Sequence, residues 1–116
     1  MTGSESSSTA RHFRGRDPLS DEPIELWVVG DRISRVPVAG ATTVVTDGWI
    51  VPGLVDAHNH VGIAPGLGVT IEQARAFAQA DARAGALLIL EVGSPLDTHP
   101  LDGDAGPQFI RSGKHI

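Results

Sequence analysis

The chain has 116 residues, 41% of them hydrophobic and 20% charged, which places it among globular proteins and excludes a disordered chain. Its formal net charge is -5 with no basic stripe, which argues against a nucleic-acid partner. Cysteine is absent, so disulfides and thiolate metal sites are excluded, and any metal must be held by nitrogen or oxygen ligands.

Residues 1–10 are rich in Ser, Thr and Gly and read as a flexible lead-in. They lack the basic and apolar regions of a secretory signal. No run of about 18 apolar residues occurs, so no membrane span is expected and the chain is read as cytoplasmic. Ile24 to Val29 is enriched in β-branched and aromatic residues and leads into Gly30-Asp31, a turn signal. Ile33 to Val36 reads as the return strand of a hairpin. After Pro37 and Gly40, Thr42 to Thr46 is β-prone, and Asp47-Gly48 marks a turn before Trp49-Ile50-Val51. Short strands at this spacing predict a small sandwich or barrel-like sheet over residues 11–51.

The pattern changes at Pro52-Gly53. Leu54 to His60 is a strand candidate that ends in polar residues, and a Gly-rich loop follows from Gly62 to Val69. Thr70-Ile71-Glu72-Gln73 fits a capping box, in which the Thr70 hydroxyl and the Gln73 side chain satisfy two otherwise orphaned N–H groups. The helix that follows places Ile71, Ala74, Phe77, Ala78 and Ala82 on one face. Glu72, Arg75, Asp81 and Arg83 are expected on its solvated side, with Gly85 as C-cap. Ala86 to Val92 is nearly continuously apolar, as suits a parallel strand buried on both faces. Strand, helix and strand make one right-handed βαβ unit, so the chain is read as α/β. Beyond Gly93 the chain is rich in Pro, Gly and Asp, and Pro107 is expected to open a short helix containing Phe109 and Ile110.

His58 and His60 carry the chemistry. Alternate residues of a strand point to one face, so two imidazoles would converge at the strand's C-terminal end. Zinc–nitrogen bonds of about 2.0–2.1 Å are within reach of such a pair. Asp56, read on the same face one step deeper, would orient a ligand as an acceptor behind it. His-x-His alone is a weak signal, because such pairs are commonly plain surface residues. His12, His99 and His115 read as solvated histidines. Glu91, near the end of the second strand, either faces the site or forms an ion pair inside the rest of a barrel that this chain does not contain. Gly66-Leu67-Gly68 lacks the third glycine of a dinucleotide loop and reads instead as a loop that shapes a substrate pocket. Gly93-Ser94-Pro95 lacks the G-x-S-x-G of a nucleophile elbow.

The stretch Gly48-Trp49-Ile50-Val51-Pro52-Gly53-Leu54-Val55-Asp56-Ala57-His58-Asn59-His60 resembles the start of the catalytic barrel in the amidohydrolase superfamily. Glu91 to Thr98 and Phe109 to Ile116 resemble its imidazolonepropionase-like branch. The resemblance runs from about Arg11 to Ile116. It implies a small β-sandwich segment over residues 11–51, and over residues 52–116 the first βαβ unit of a TIM-type (β/α)₈ barrel. His58 and His60 would then be metal ligands from the first barrel strand, in keeping with barrel sites at the C-terminal ends of strands. The implied cofactor is a divalent metal, with Zn²⁺ expected and other divalent ions also suited to two imidazoles. The implied reaction is hydrolysis of an amide, cyclic amide or related C–N bond in a small-molecule substrate by a metal-activated water.

A barrel of this kind takes about 250 residues, and the further ligands and the general base of the family pattern have no counterpart here. Two readings follow. In one, the chain is the N-terminal part of a metal-dependent amidohydrolase, inactive by itself and poorly stable or homo-oligomeric. In the other, it is a truncated, non-catalytic chain acting as a metal-binding or interaction module.

Overall fold

The structure is a computed structural model and describes residues 9–66 and 68–113. Most of the lead-in expected over residues 1–10, together with Leu67 and His115, lies outside the described residues. The chain divides into two compact units, Met1–Pro52 and Gly53–Ile116.

The first unit is a single four-stranded sheet in the order β3-β2-β1-β4. Its strands are β1 (Arg11–Arg16), β2 (Pro23–Val29), β3 (Arg32–Ser34) and β4 (Thr42–Val45). The β2–β3 hairpin turns at Gly30-Asp31 as the turn signal predicts, and Gly30 takes φ +58°, which glycine adopts without a Cβ penalty. Strand β3 stops at Ser34, short of the expected Val36. The Ser34 hydroxyl accepts from the Val36 N–H and donates to its carbonyl, closing a local turn ahead of Pro37. Trp49 makes one isolated bridge to Arg16 and no strand. Strand β1 carries no apolar alternation, yet it pairs with β2 along its whole length and lies parallel to β4. The described residues of this unit form one sheet.

The second unit is a parallel sheet, β5-β6-β7, with one helix. Strand β5 (Leu54–Asn59) is followed by α1 (Ile71–Arg83), β6 (Ala86–Glu91), a short 3₁₀ helix (His99–Leu101) and β7 (Gln108–Arg111). The capping box forms as read: Gln73 N–H donates to Thr70 Oγ1 at 3.2 Å, and Thr70 N–H donates to Gln73 Oε1 at 2.9 Å. Helix α1 has Ala84 as its C-cap in place of the expected Gly85, whose φ of +103° turns the chain back into β6. Ala74 and Ala78 meet Ile89, Val61 and Leu101 in the core, with Ile71 and Phe109 packed against them. Phe77, expected on that face, is 40% exposed and lies outside this cluster.

Two expectations fail here. Residues Gln108–Arg111 form a strand parallel to β6 instead of a short helix opened by Pro107. The open edge of β6 supplies backbone partners that an isolated helical turn would lack, and Phe109 then packs beside Ile89. The run from Ala86 is covered on one face only. Ile89, toward α1, is fully buried, whereas Val55 and Ile110 on the opposite face are 63% and 57% exposed. Among the described residues no helix is long and apolar enough to cross a membrane.

Ile89 lies at the centre of this small core, so Ile89→Ala removes buried contacts that few neighbours can refill. We expect a loss of about 2–5 kcal/mol, read as a lowered urea midpoint with little change in slope.

Candidate functional site

The site begins with a change of register. Strand β5 pairs Asp56 with Ile89 and then Asn59 with Glu91, so β5 carries one extra residue over that interval. This is a β-bulge, which reverses the in-and-out alternation of side chains beyond it. Asp56 shares the face of its partner Ile89, the face covered by α1. Beyond the bulge Asn59 returns to that same face, where its Nδ2 donates to Asp56 Oδ2 at 2.9 Å and to Asp81 Oδ2 of α1 at 3.0 Å. His58 and His60 flank Asn59 and therefore project to the other side of the sheet.

The two rings stand together. Their centroids are 5.2 Å apart with planes at 76°. A Zn–N bond of about 2.1 Å puts a metal roughly 3.2 Å from each ring centroid, so two rings at a tetrahedral angle stand about 5.2 Å apart. The spacing also suits an edge-to-face aromatic pair, so it fits a shared cation without requiring one. His60 Nδ1 lies 2.7 Å from the Gly93 carbonyl oxygen. A carbonyl only accepts, so this nitrogen carries the proton, and in the neutral ring the lone pair sits on Nε2. Metal-bound histidines are commonly oriented by such a bond from the second nitrogen. His58 is exposed and His60 half-buried.

Asp56 does not accompany the histidines as expected. Its Oδ1 accepts from the His58 backbone N–H at 3.1 Å, a group the bulge removes from regular pairing, and its Oδ2 accepts from Asn59. Among the described residues no group of three or more His, Cys, Asp or Glu side chains is arranged to hold a metal. Two imidazoles suit a divalent ion chemically but are half the ligands of a closed zinc site.

Sequence reasoning weighed Gly93-Ser94-Pro95 only as a nucleophile elbow and did not foresee the Gly93 carbonyl as a partner of His60. Glu91, which is 2% exposed, accepts from Thr98 Oγ1 at 2.5 Å and lies 3.8 Å from Arg111 Nε. Glu91 thus pairs with Arg111 of the neighbouring strand within this chain, and not with His58 or His60. Arg111 also donates to Thr98 Oγ1 and O, reaches Asp102 through both terminal nitrogens, and lies over the Phe109 ring. This network ties together the C-terminal ends of β6 and β7. A cleft of about 310 Å³ beside it is lined by Glu91, Leu96, Thr98, His99 and Arg111, and includes neither His58 nor His60.

The remaining candidates fall out as follows. His99 is exposed and hydrogen-bonded to Asp97, in line with its solvated reading. His12 departs from that reading: it stacks on Trp27 and bonds Thr43 and Glu25. Arg75 pairs with Asp104 at 2.7 Å, and Asp81 holds Asn59, so neither belongs to a merely solvated helix face. Ser94 is buried and caps Leu96 N–H.

No family model matches the sequence. Uncharacterized proteins of Mycobacterium bovis and Mycobacterium tuberculosis are each 47% identical to it over 106 residues. The match takes in 90% of this chain and 29% of each relative, so the chain spans less than a third of their length. The structure of molinate hydrolase superposes with a TM-score of 0.67 at 17% identity, over 95% of this chain and 31% of that enzyme. A prolidase complexed with N-methylphosphonate-L-proline gives 0.60 at 18% identity, over 91% of this chain and 32% of the prolidase. The chain shares the fold of part of two hydrolases. At these identities the likeness is one of fold.

Two outcomes test the local structure. A methyl group at Gly62 would collide with Ser94 Oγ and lie 2.9 Å from Ser94 Cβ. Both residues are buried, so Gly62→Ala should cost about 1–3 kcal/mol in urea unfolding and broaden the His60 resonances. The Asp97 carboxyl is held below the ordinary aspartate range, chiefly by the His99 backbone N–H and then by its ring. A carboxyl depressed in the folded state adds stability above its unfolded value, lost as pH falls through the folded one. Carboxyl NMR should show Asp97 titrating below a free aspartate, and Asp97→Asn should remove that acid-side dependence of stability.

Proposed function

We propose that this chain supplies the opening βαβ unit and two metal-binding histidines of an amidohydrolase-type barrel. The observation that carries the reading is the pair of imidazoles at the C-terminal end of a parallel strand. They stand side by side on the face opposite α1. Barrel enzymes place their chemistry at that end of their strands. The consecutive parallel order β5-β6-β7 suits the start of such a barrel, and so does the likeness in fold to parts of two longer hydrolases.

On this reading His58 and His60 bind a divalent cation, Zn²⁺ by preference. The Gly93 carbonyl, bonded to His60 Nδ1, would orient that ring as a partner behind a metal-binding histidine does. Such an ion, when bound, supplies Lewis-acid polarisation of a carbonyl and lowers the pKa of water. The substrate class is a small molecule with an amide, cyclic amide or related C–N bond. The other ligands and the base would come from polypeptide outside the described residues. The short chain by itself then binds metal without efficient turnover.

Zn²⁺ titration of the purified chain by calorimetry tests this. We expect about one ion per chain, reversed by a chelator, with His58→Ala and His60→Ala each weakening binding at least about tenfold. Binding that is unchanged in both variants would sink the assignment. Chelator-sensitive hydrolysis of a cyclic or N-acyl amide by the longer mycobacterial relative tests the reaction class.

A further inference from the structure

We infer that Asn59 and Asp81, neither of them a ligand, are positioning residues that set the direction of both histidines. The inference rests on the metal-centre reading above. It concerns what the bulge in β5 does and what holds it in place.

Without a bulge, Asp56, His58 and His60 would share one face by the two-residue period of a strand. That face is the one on which Asp56 sits beside Ile89, against α1. Both rings would then turn toward the helix and away from the open face of the sheet. A slip of one residue moves a whole set of side chains from one face to the other. The extra residue between Asp56 and Asn59 is such a slip.

Three hydrogen bonds hold the slip. Asp56 Oδ1 takes the His58 N–H that the bulge leaves without a ladder partner. Asp56 Oδ2 takes one proton of the Asn59 amide, and Asp81 Oδ2, from the last turns of α1, takes the other. Both protons of one NH₂ group are thereby committed, and the opposite amide orientation would set its oxygen against two carboxylates. The Asn59 side chain is fixed toward α1 and its two neighbours are fixed away from it. Asp81 makes this tie to the rigid body of the helix, whereas Asp56 makes it within the same strand. A hydrogen-bonding role at Asp81 requires an acceptor there, not a charge.

The test uses the whole chain and two readouts. One is the direction of the rings in metal-free protein, read by nuclear Overhauser effects from the His58 and His60 ring protons to the methyl groups of α1, which should be absent while the rings face away from the helix. The other is Zn²⁺ affinity. Asn59→Ala and Asp81→Ala should each bring ring-to-helix effects into view and weaken Zn²⁺ binding about tenfold or more, as loss of a partner behind a ligand does. Asp81→Asn keeps an acceptor oxygen and should match the parent in both readouts. A merely structural tether would lower the thermal midpoint of the alanine variants without any ring-to-helix effect. Should Asn59→Ala fail to fold, the two Asp81 variants carry the test. Absence of the ring-to-helix effect in folded Asp81→Ala, or its appearance in Asp81→Asn as well, overturns the inference. If the parent chain binds no Zn²⁺, the metal reading fails alone, and the ring-to-helix effects still decide the positioning role.

Discussion

Strand β5 takes three steps from Asp56 to Asn59 while its neighbour β6 takes two, from Ile89 to Glu91. The extra step frees one backbone N–H, that of His58, and the Asp56 carboxylate accepts it. It also returns Asn59 to the α1 face and sends the imidazoles on either side of it to the opposite one. A backbone N–H taken out of the ladder gains a partner in the carboxylate, and a displaced register must be held against relaxation to a regular pleat. Asp56 meets both needs at once. The ring arrangement therefore depends on a defect in the sheet and on the polar cluster beneath it.

The second support of the site is the loop after β6. Glu91 is buried with a hydroxyl and a guanidinium for partners, and Arg111 is bonded on every side. Breaking such a network leaves an uncompensated charge in the interior, so its members act together. Its effect is to join the ends of β6 and β7 and to keep the Gly93–Ser94 segment close to the loop after His60. The close approach of Gly62 to Ser94 and the bond from His60 to the Gly93 carbonyl both depend on that segment.

The three parallel strands also leave something open. Helix α1 covers one face, and the other exposes Val55 and Ile110 beside the half-buried Leu88 and Leu90. Parallel sheets are ordinarily covered on both faces. The matched stretches make up 31% and 32% of the two hydrolases.

The sequence by itself determined features whose causes are local. The turn at Gly30-Asp31, the capping box at Thr70 and Gln73, the apolar strand from Ala86 and the adjacency of His58 and His60 depend on neighbours within a few residues. Tertiary structure decided the rest. Strand β1 has no pattern of its own and forms because β2 and β4 offer it partners. Residues Gln108–Arg111 extend because the edge of β6 is open. The bulge in β5 is a mismatch between two strands separated by a helix, so alternation along one strand could not reveal that Asp56 faces α1 while the histidines face away. His12, Asp81 and Glu91 look like ordinary surface or ambiguous charges until Trp27, Asn59 and Arg111 are brought to them. A polar side chain's role is set by the partner it meets, and for these residues the partner lies 15 or more positions away along the chain.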